Sequence, residues 1–231
     1  MRIKINFKGQ DTLPFNNQHL LNSYVHKCLG RNNKYHNTKN NYCISSLQGG
    51  VKDSDELRFD DAYFTISSLD EKFINDFLIG ILNNQNFNEN LSFNGAEPVN
   101  EKFVNGWNYF YTLSPILIKN YASKKEYSFL TLDNENFEKE VKEYLIKKIS
   151  AIDKTLDLSN FDIKINYDNF HKVKKITVKN VINRCNLCYL NIFTNKKVSE
   201  LLYNIGIGQS TGSGFGTIYK TENHRFYKKY D

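Results

Sequence analysis

Proline is nearly absent from this 231-residue chain, at three residues, and there are only one tryptophan, one methionine and four cysteines. So little proline, with no Gly/Ser-rich or single-sign charge tract, excludes a long flexible linker, and any units the chain forms should pack tightly together. No apolar run approaches the roughly 18 residues of a membrane span, and the N-terminal MRIKINF lacks a signal-peptide core. A cytoplasmic protein with no membrane partner is the expectation, and there its cysteines should be reduced. Cys185 and Cys188 form a CxxC, but Cys28 falls on a helical apolar stripe and Cys43 in an extended run. No second CxxC completes a zinc site, so buried structural thiols are expected, with no metal and no cofactor. The acidic cluster Asp53, Asp55, Glu56, Asp60 and Asp61 lacks the alternating ligands and glycine of a calcium loop and reads as a solvated turn.

What is present points elsewhere. Hydrophobic residues make up 40% of the chain, enough for one large domain or two of about 110 residues. A net charge of +6 and a pI near 8.9 suit a polyanionic partner. Ile3, Ile5 and Phe7 alternate with Arg2, Lys4 and Asn6, the period of a half-buried strand. Leu20, Leu21, Tyr24, Val25, Cys28 and Leu29 then mark an amphipathic helix opened by Asn16 or Asn17 and closed by Gly30. Extended runs over Tyr42–Leu47 and Leu57–Ser67, a helix through Phe73, Ile74, Phe77, Leu78, Ile81 and Leu82 with a Ser68/Glu71 capping box, and a strand over Leu91–Pro98 complete the order βαββαβ.

A similar order recurs. Asn108–Ile118 is strand-like, a helix runs through Phe137, Val141, Leu145, Ile149 and Ile152, and extended runs follow over Phe161–Tyr167, Val173–Ile182 and Leu187–Phe193. A short helix carrying Val198, Leu201, Leu202 and Ile205 precedes the final strand. This half has one strand too many for the pattern. The reading is an α+β chain of two tandem ferredoxin-like halves, residues 1–108 and 109–231.

Five of the twelve glycines lie in the C-terminal GIGQSTGSGFG. Gly206, Gly208, Gly212, Gly214 and Gly216, with Gln209, Ser210 and Ser213 among them, form either a phosphate cradle of free backbone N–H groups or a flexible surface turn. The order is helix, loop, strand, the reverse of a mononucleotide-binding turn, and no Walker lysine follows. Lys164, Lys172, Lys174, Lys175, Lys179 and Arg184 spread over a hairpin region, where opposite-face alternation makes some of them a basic stripe for a nucleic-acid backbone, or all are ordinary solvated strand edges. On a helical wheel His26 lies opposite the apolar stripe, near Ser23 and His19, either a surface residue or a general acid or base. His36 lies in the polar loop RNNKYHNTKNN beside Lys34, Tyr35 and Lys39, a set able to supply a base, an acid and a cation to a phosphate without metal. No RNP consensus for stacking bases on a sheet is visible.

Three segments, FNNQHLLNSYVHKCLG, YTLSPILIK and NIGIGQSTGSGFGTIYK, together resemble the CRISPR-associated endoribonucleases of the sixth-numbered Cas family, within the repeat-associated superfamily. The resemblance spans essentially the whole chain. It implies two ferredoxin-like halves and a metal-independent cut in the precursor CRISPR RNA repeat, leaving a 2′,3′-cyclic phosphate and a 5′-hydroxyl. It places His36 at the family's loop histidine, His26 where a tyrosine is usual, and Lys39 as the nearest lysine; the two histidines depart from the pattern. The glycine loop with Lys172, Lys174 and Arg184 would bind RNA. Effector-complex subunits and a second copy of the chain stay open as partners, as does the alternative of a noncatalytic RNA-binding subunit of an effector complex.

Overall fold

The structure, a computed structural model, describes residues 1–30, 33–35, 41–123, 126–178 and 181–221. Its first unit runs β1 (Arg2–Pro14), α1 (Gln18–Leu29), β2 (Tyr42–Ile44), β3 (Val51–Asp53), β4 (Glu56–Ser68), α2 (Glu71–Asn83) and β5 (Ser92–Pro98). The sheet order is β2-β4-β1-β5, with β3 paired to the outer end of β4. The alternation in β1 buries Ile3, Ile5 and Phe7 on one face, where they meet Phe64 and Ile66 of β4 and the apolar stripes of α1 and α2. α2 starts differently from the expected capping box. Asp70 is the N-cap, accepting from the Lys72 backbone N–H, while Ser68 accepts from the Asp70 N–H. A shorter carboxylate one residue before the helix satisfies the free donors that Glu71 was expected to share. The acidic residues expected as a turn sit on the exposed β3–β4 hairpin, where Arg58 pairs with Asp53 and Asp60.

The second unit runs β6 (Gly106–Thr112), β7 (Lys119–Tyr121), β8 (Tyr127–Phe129), α3 (Phe137–Ile152), β9 (Asp162–Asn166), β10 (Lys172–Val178), β11 (Val181–Leu187), β12 (Tyr189–Thr194), α4 (Lys196–Ile205) and β13 (Ile218–Lys220). Its main sheet has the order β13-β6-β12-β9. This is the same arrangement of first, second, third and fourth strands as in the first unit, so the chain is a tandem of ferredoxin-like folds. The surplus strand is accounted for. The run read as one strand over Val173–Ile182 belongs to two, β10 and β11, which form a separate hairpin inserted between β9 and β12. The expected strand to Ile118 stops at Thr112, and Leu113–Ile118 leaves the sheet. The expected division at residue 108 falls inside β6; the two sheets divide between Pro98 and Gly106.

Polar contacts join the units. The Arg2 guanidinium, buried, donates to the carbonyls of Ile218 and Tyr203 and lies 3.5 Å from the Tyr203 ring centroid. Tyr203 belongs to the last turn of α4, whose carbonyls carry the negative end of the helix dipole and favour a cation there. Ser67 Oγ donates to Asn204 O at 2.8 Å and Thr211 Oγ1 to Tyr42 O at 3.0 Å. Among the described residues no helix is long and apolar enough to cross a membrane.

Within the first unit, α2 reaches the end of α1 only because residue 80 is glycine: a Cβ there would stand 1.8 Å from the Cys28 carbonyl oxygen. The contact is backbone on backbone, so no side chain can yield. Gly80→Ala should cost about 2 kcal/mol or more, read as a lower urea midpoint at unchanged m value.

Candidate nucleic-acid interface

The glycine loop leaves α4 at Gly206 and passes through a single 3-10 turn over Thr211–Ser213 before β13. Gly206, Gly208, Gly214 and Gly216 all hold positive φ, between 67° and 90°. Each is also pressed against a neighbour. A Cβ would lie 1.7 Å from Ile207 O at Gly216, 1.8 Å from the Gln18 amide at Gly214, and 2.6 Å from Leu117 O at Gly208. These glycines, like Gly212, are buried, and much of the loop's N–H capacity is spent inside the protein. Ile207 N–H donates to Gly216 O, Gln209 N–H to Leu117 O, and Gly216 N–H to Pro115 O, at 2.7, 2.7 and 2.9 Å. The residues that reach solvent are Gln209, Ser210 and Ser213, of which Ser210 is exposed and held at φ 55°. A serine kept in the left-handed region is strained, and such strain marks positions worth testing for function.

The three segments that carried the sequence resemblance meet at this loop. Pro115 and Leu117 of the LSPIL stretch accept its N–H groups. From α1, Asn22 Nδ2 donates to Ser213 O at 3.1 Å, and Gln18, bonded to Asn22, packs on Gly214. His26 follows Gln18 and Asn22 at four-residue spacing along α1, in its last turn, and is half-buried rather than on the fully exposed face that the helical wheel gives it. Tyr24 points the other way: its buried hydroxyl donates to Asn84 O at 2.8 Å, and burial pushes its pKa up. His36 and Lys39 lie outside the described residues. Asn41, just after them, lines a cavity of about 630 Å³ with Tyr144, Lys147, Lys148 and the loop from Gly208 to Thr211.

Sequence reasoning missed what holds the loop from beneath. Lys148 of α3 donates to the carbonyls of Gly206, Gly208 and Ile205 at 2.9, 3.0 and 3.4 Å, and Tyr144 donates to Gly208 O at 2.9 Å. The ammonium thus uses its three protons on loop and α4 C-terminal carbonyls, where the helix dipole favours a cation. Burial lowers its pKa to about 8, with the neighbouring Cys43 opposing that fall. The only signal in the sequence is an i, i+4 pair at the edge of the α3 apolar stripe, and a lysine there ordinarily reads as a solvated stem.

The residues are now matched by kinship. The model for "CRISPR associated protein Cas6, C-terminal" matches residues 96–219, more than half of the chain. The chain belongs to the Cas6 family. Membership assigns it to the handling of CRISPR RNA, by processing or by binding. No curated protein sequence matches it. Among solved structures it is similar to one described as CRISPR associated protein Cas6, at 22% identity and a TM-score of 0.79, covering 96% of this chain and 99% of the other. It is also similar to a Cas6-related gene product from Pyrococcus furiosus, at 21% identity and TM-score 0.82, over 96% and 98%. A third is described as a RAMP protein binding different RNA substrates, at 20% and 0.82, over 96% and 100%. Identities this low carry the fold and nothing finer.

In this Cas6 chain alternation puts some of the basic residues on one side, as expected. Lys172 and Lys174 share one face of the β10–β11 hairpin with buried Cys185, whereas Arg184 stands on the other face opposite Lys175 and pairs with Asp133 at 3.4 Å. Lys164 is on β9, and Lys179 lies outside the described residues. The hairpin leans on the glycine loop: Cys185, Leu117 and Phe215 form a small core capped by Ile176 and Val178. Cys188 instead belongs to the main core of the second unit, so the CxxC pair is divided between two cores, and burial pushes both thiols up to about 12.

Two outcomes follow for the loop. Gly216→Ala should destabilise the protein by at least about 2 kcal/mol, because it adds left-handed strain to a clash with backbone; a thermal melt reads it. For Lys148, the folded pKa of about 8 lies below the free value of 10.5. The unfolded chain therefore holds more protons between those values, and this group adds stability as pH rises through that window, by up to about 3 kcal/mol. Urea midpoints taken from pH 8 to 10 should climb less in Lys148→Met than in the wild type.

Proposed function

We propose that this Cas6 chain cuts precursor CRISPR RNA within its repeats by a metal-independent transesterification. The RNA 2′-hydroxyl attacks the adjacent phosphorus; a 2′-O–P bond forms as the P–O5′ bond breaks. A base takes the 2′ proton, an acid gives one to the leaving 5′ oxygen, and the products carry a 2′,3′-cyclic phosphate and a 5′-hydroxyl. His26 and His36 are the acid and base, matched in type to proton transfer near neutral pH, and Lys39 is the cation for the phosphate. The observation that supports this reading most is the docking of the Gln18–Asn22–His26 line of α1 onto Ser213 and Gly214. It docks the helix that carries His26 in its last turn onto the loop that family resemblance links to RNA. Tyr24 is engaged in the α1–α2 core, which favours histidine over tyrosine in this role. Gln209, Ser210 and Ser213 form the RNA-facing part of the glycine loop, with Lys172 and Lys174 beside it; the buried glycines hold its shape. The RNA partner, and a place for its product in an effector complex, belong to the same reading.

Repeat RNA incubated with excess EDTA should still be cut, and the products should resist 3′-end ligation until the cyclic phosphate is opened and the resulting phosphate is removed. A strict magnesium requirement or a 3′-hydroxyl end would sink the mechanism. His26→Ala and His36→Ala should each slow single-turnover cleavage by about 10²-fold or more with repeat affinity nearly intact, and Lys39→Ala by less. Tight binding with no cleavage by the wild type would establish the noncatalytic RNA-binding subunit instead.

A further inference from the structure

The residues that bracket His36 in the sequence converge on one side chain. Phe73, in the first turn of α2, is buried. The Tyr35 ring stands edge-on to it at a centroid distance of 4.9 Å, and the Tyr42 ring lies stacked on it at 4.4 Å. Tyr35 is held at its far end too: its hydroxyl donates to Asp76 Oδ2 at 3.1 Å, one turn further along α2. The other oxygen of Asp76 accepts from Lys72 Nζ at 2.7 Å, and that hydrogen bond holds the carboxyl below the usual carboxylate range. On the upstream side, Tyr35 N–H donates to Asn33 Oδ1 at 3.2 Å and Asn33 Nδ2 to Gly30 O at 2.7 Å, which ties Tyr35 back to the end of α1.

The returning end is fixed as firmly. Asn41 O accepts from the Leu69 N–H at 3.2 Å and from Ser68 Oγ at 3.3 Å, and Tyr42 O accepts from Thr211 Oγ1 of the glycine loop. The chain thus leaves Phe73 at Tyr35 and is back on it at Tyr42, with the glycine loop bonded to the second of these. Fixing both ends of a short segment restricts the conformations open to the residues between them. Consecutive Cα atoms are about 3.8 Å apart, so whatever holds Tyr35 also sets where His36 begins. We infer that Tyr35 is a positioning residue for cleavage: held by Asp76 and Phe73, it fixes the starting point of the His36 segment relative to α2 and the glycine loop. This rests on His36 taking part in cleavage, as proposed above.

The chemistry separates this role from two others. Tyr35 is not the reacting acid or base, because its proton is already given to a carboxylate; burial and that hydrogen bond push its pKa up to about 12. Nor is it an ordinary surface anchor. The neighbouring pair of Lys34 and Asp70, 3.8 Å apart between exposed side chains, is of that kind and contributes little. Tyr35 instead combines an aromatic contact to a buried ring with a charge-assisted hydrogen bond, two directional interactions that fix both ends of one stiff side chain. Proton transfer depends steeply on such placement, since an error of about 1 Å in a reacting group can cost about 10²-fold in rate.

Tyr35→Phe keeps the ring on Phe73 and removes only the donor. In single-turnover cleavage of repeat RNA it should be slower by about tenfold, with repeat affinity within about twofold of wild type and an unchanged melting curve. Asp76→Ala should slow cleavage as much, while Asp76→Asn, whose amide oxygen still accepts from the Tyr35 hydroxyl, should stay within about threefold of wild type. Because Tyr35 acts through His36, adding Tyr35→Phe to His36→Ala should slow cleavage no further, whereas a contact that only stabilises the fold would cost the same in either background. Equal losses in both backgrounds, or a wild-type rate in Tyr35→Phe, overturn the inference and leave the cleavage reading standing where His36→Ala is slow. A loss of affinity at unchanged rate makes Tyr35 an RNA contact and overturns it as well. If His36→Ala cuts at the wild-type rate, or the wild type does not cut, the cleavage reading fails and this inference with it.

Discussion

The candidate interface depends on backbone packed against backbone. Gly216 lies against the Ile207 carbonyl, Gly208 against that of Leu117, and Lys148 gathers the carbonyls of Ile205, Gly206 and Gly208. Chains approach this closely only where a Cβ is missing, and buried carbonyls need donors. The loop is therefore stiff: most of its hydrogen-bonding capacity faces inward, and a short stretch, Gln209, Ser210 and Ser213, is left to face outward. Its rigidity is what fixes the position of any ligand it contacts.

From that anchor the two units follow. The loop binds α1 of the first unit through Asn22 and the LSPIL stretch of the second through its own N–H groups, so it is a joint as well as a surface. Arg2 ties β1 to the end of α4 next to it, and the loop begins there. A shift of one unit relative to the other would move His26 relative to Ser210. This gives the buried polar contacts at the joint a positional role beyond stability.

The two faces of the second sheet then differ. Its inner residues build the core that supports α3 and hence Lys148, and its outer residues present rings in place of the usual polar surface.

Period-2 and period-3.6 patterns sufficed for the tandem βαββαβ order, for the burial of Ile3, Ile5 and Phe7, and for the stripes of α1 to α4, because those patterns are set by local geometry. The three family-like segments were also legible as strings, since they carry unusual residues in fixed spacing. Their meeting point was not: Pro115 accepting from Gly216, or Asn22 donating to Ser213, joins residues about 100 and 190 positions apart, and no local pattern encodes that. Periodicity counted a strand too many because it does not distinguish a sheet strand from an inserted hairpin such as β10–β11. It left Lys148 unremarked because a lysine becomes a loop anchor only when carbonyls from another element arrive above it. The rings of β6 and β12 were each visible in the sequence, but only strand pairing brings Trp107 to Phe193 and Tyr111 to Tyr189, since side-chain neighbours across a sheet are decided by register and not by sequence distance.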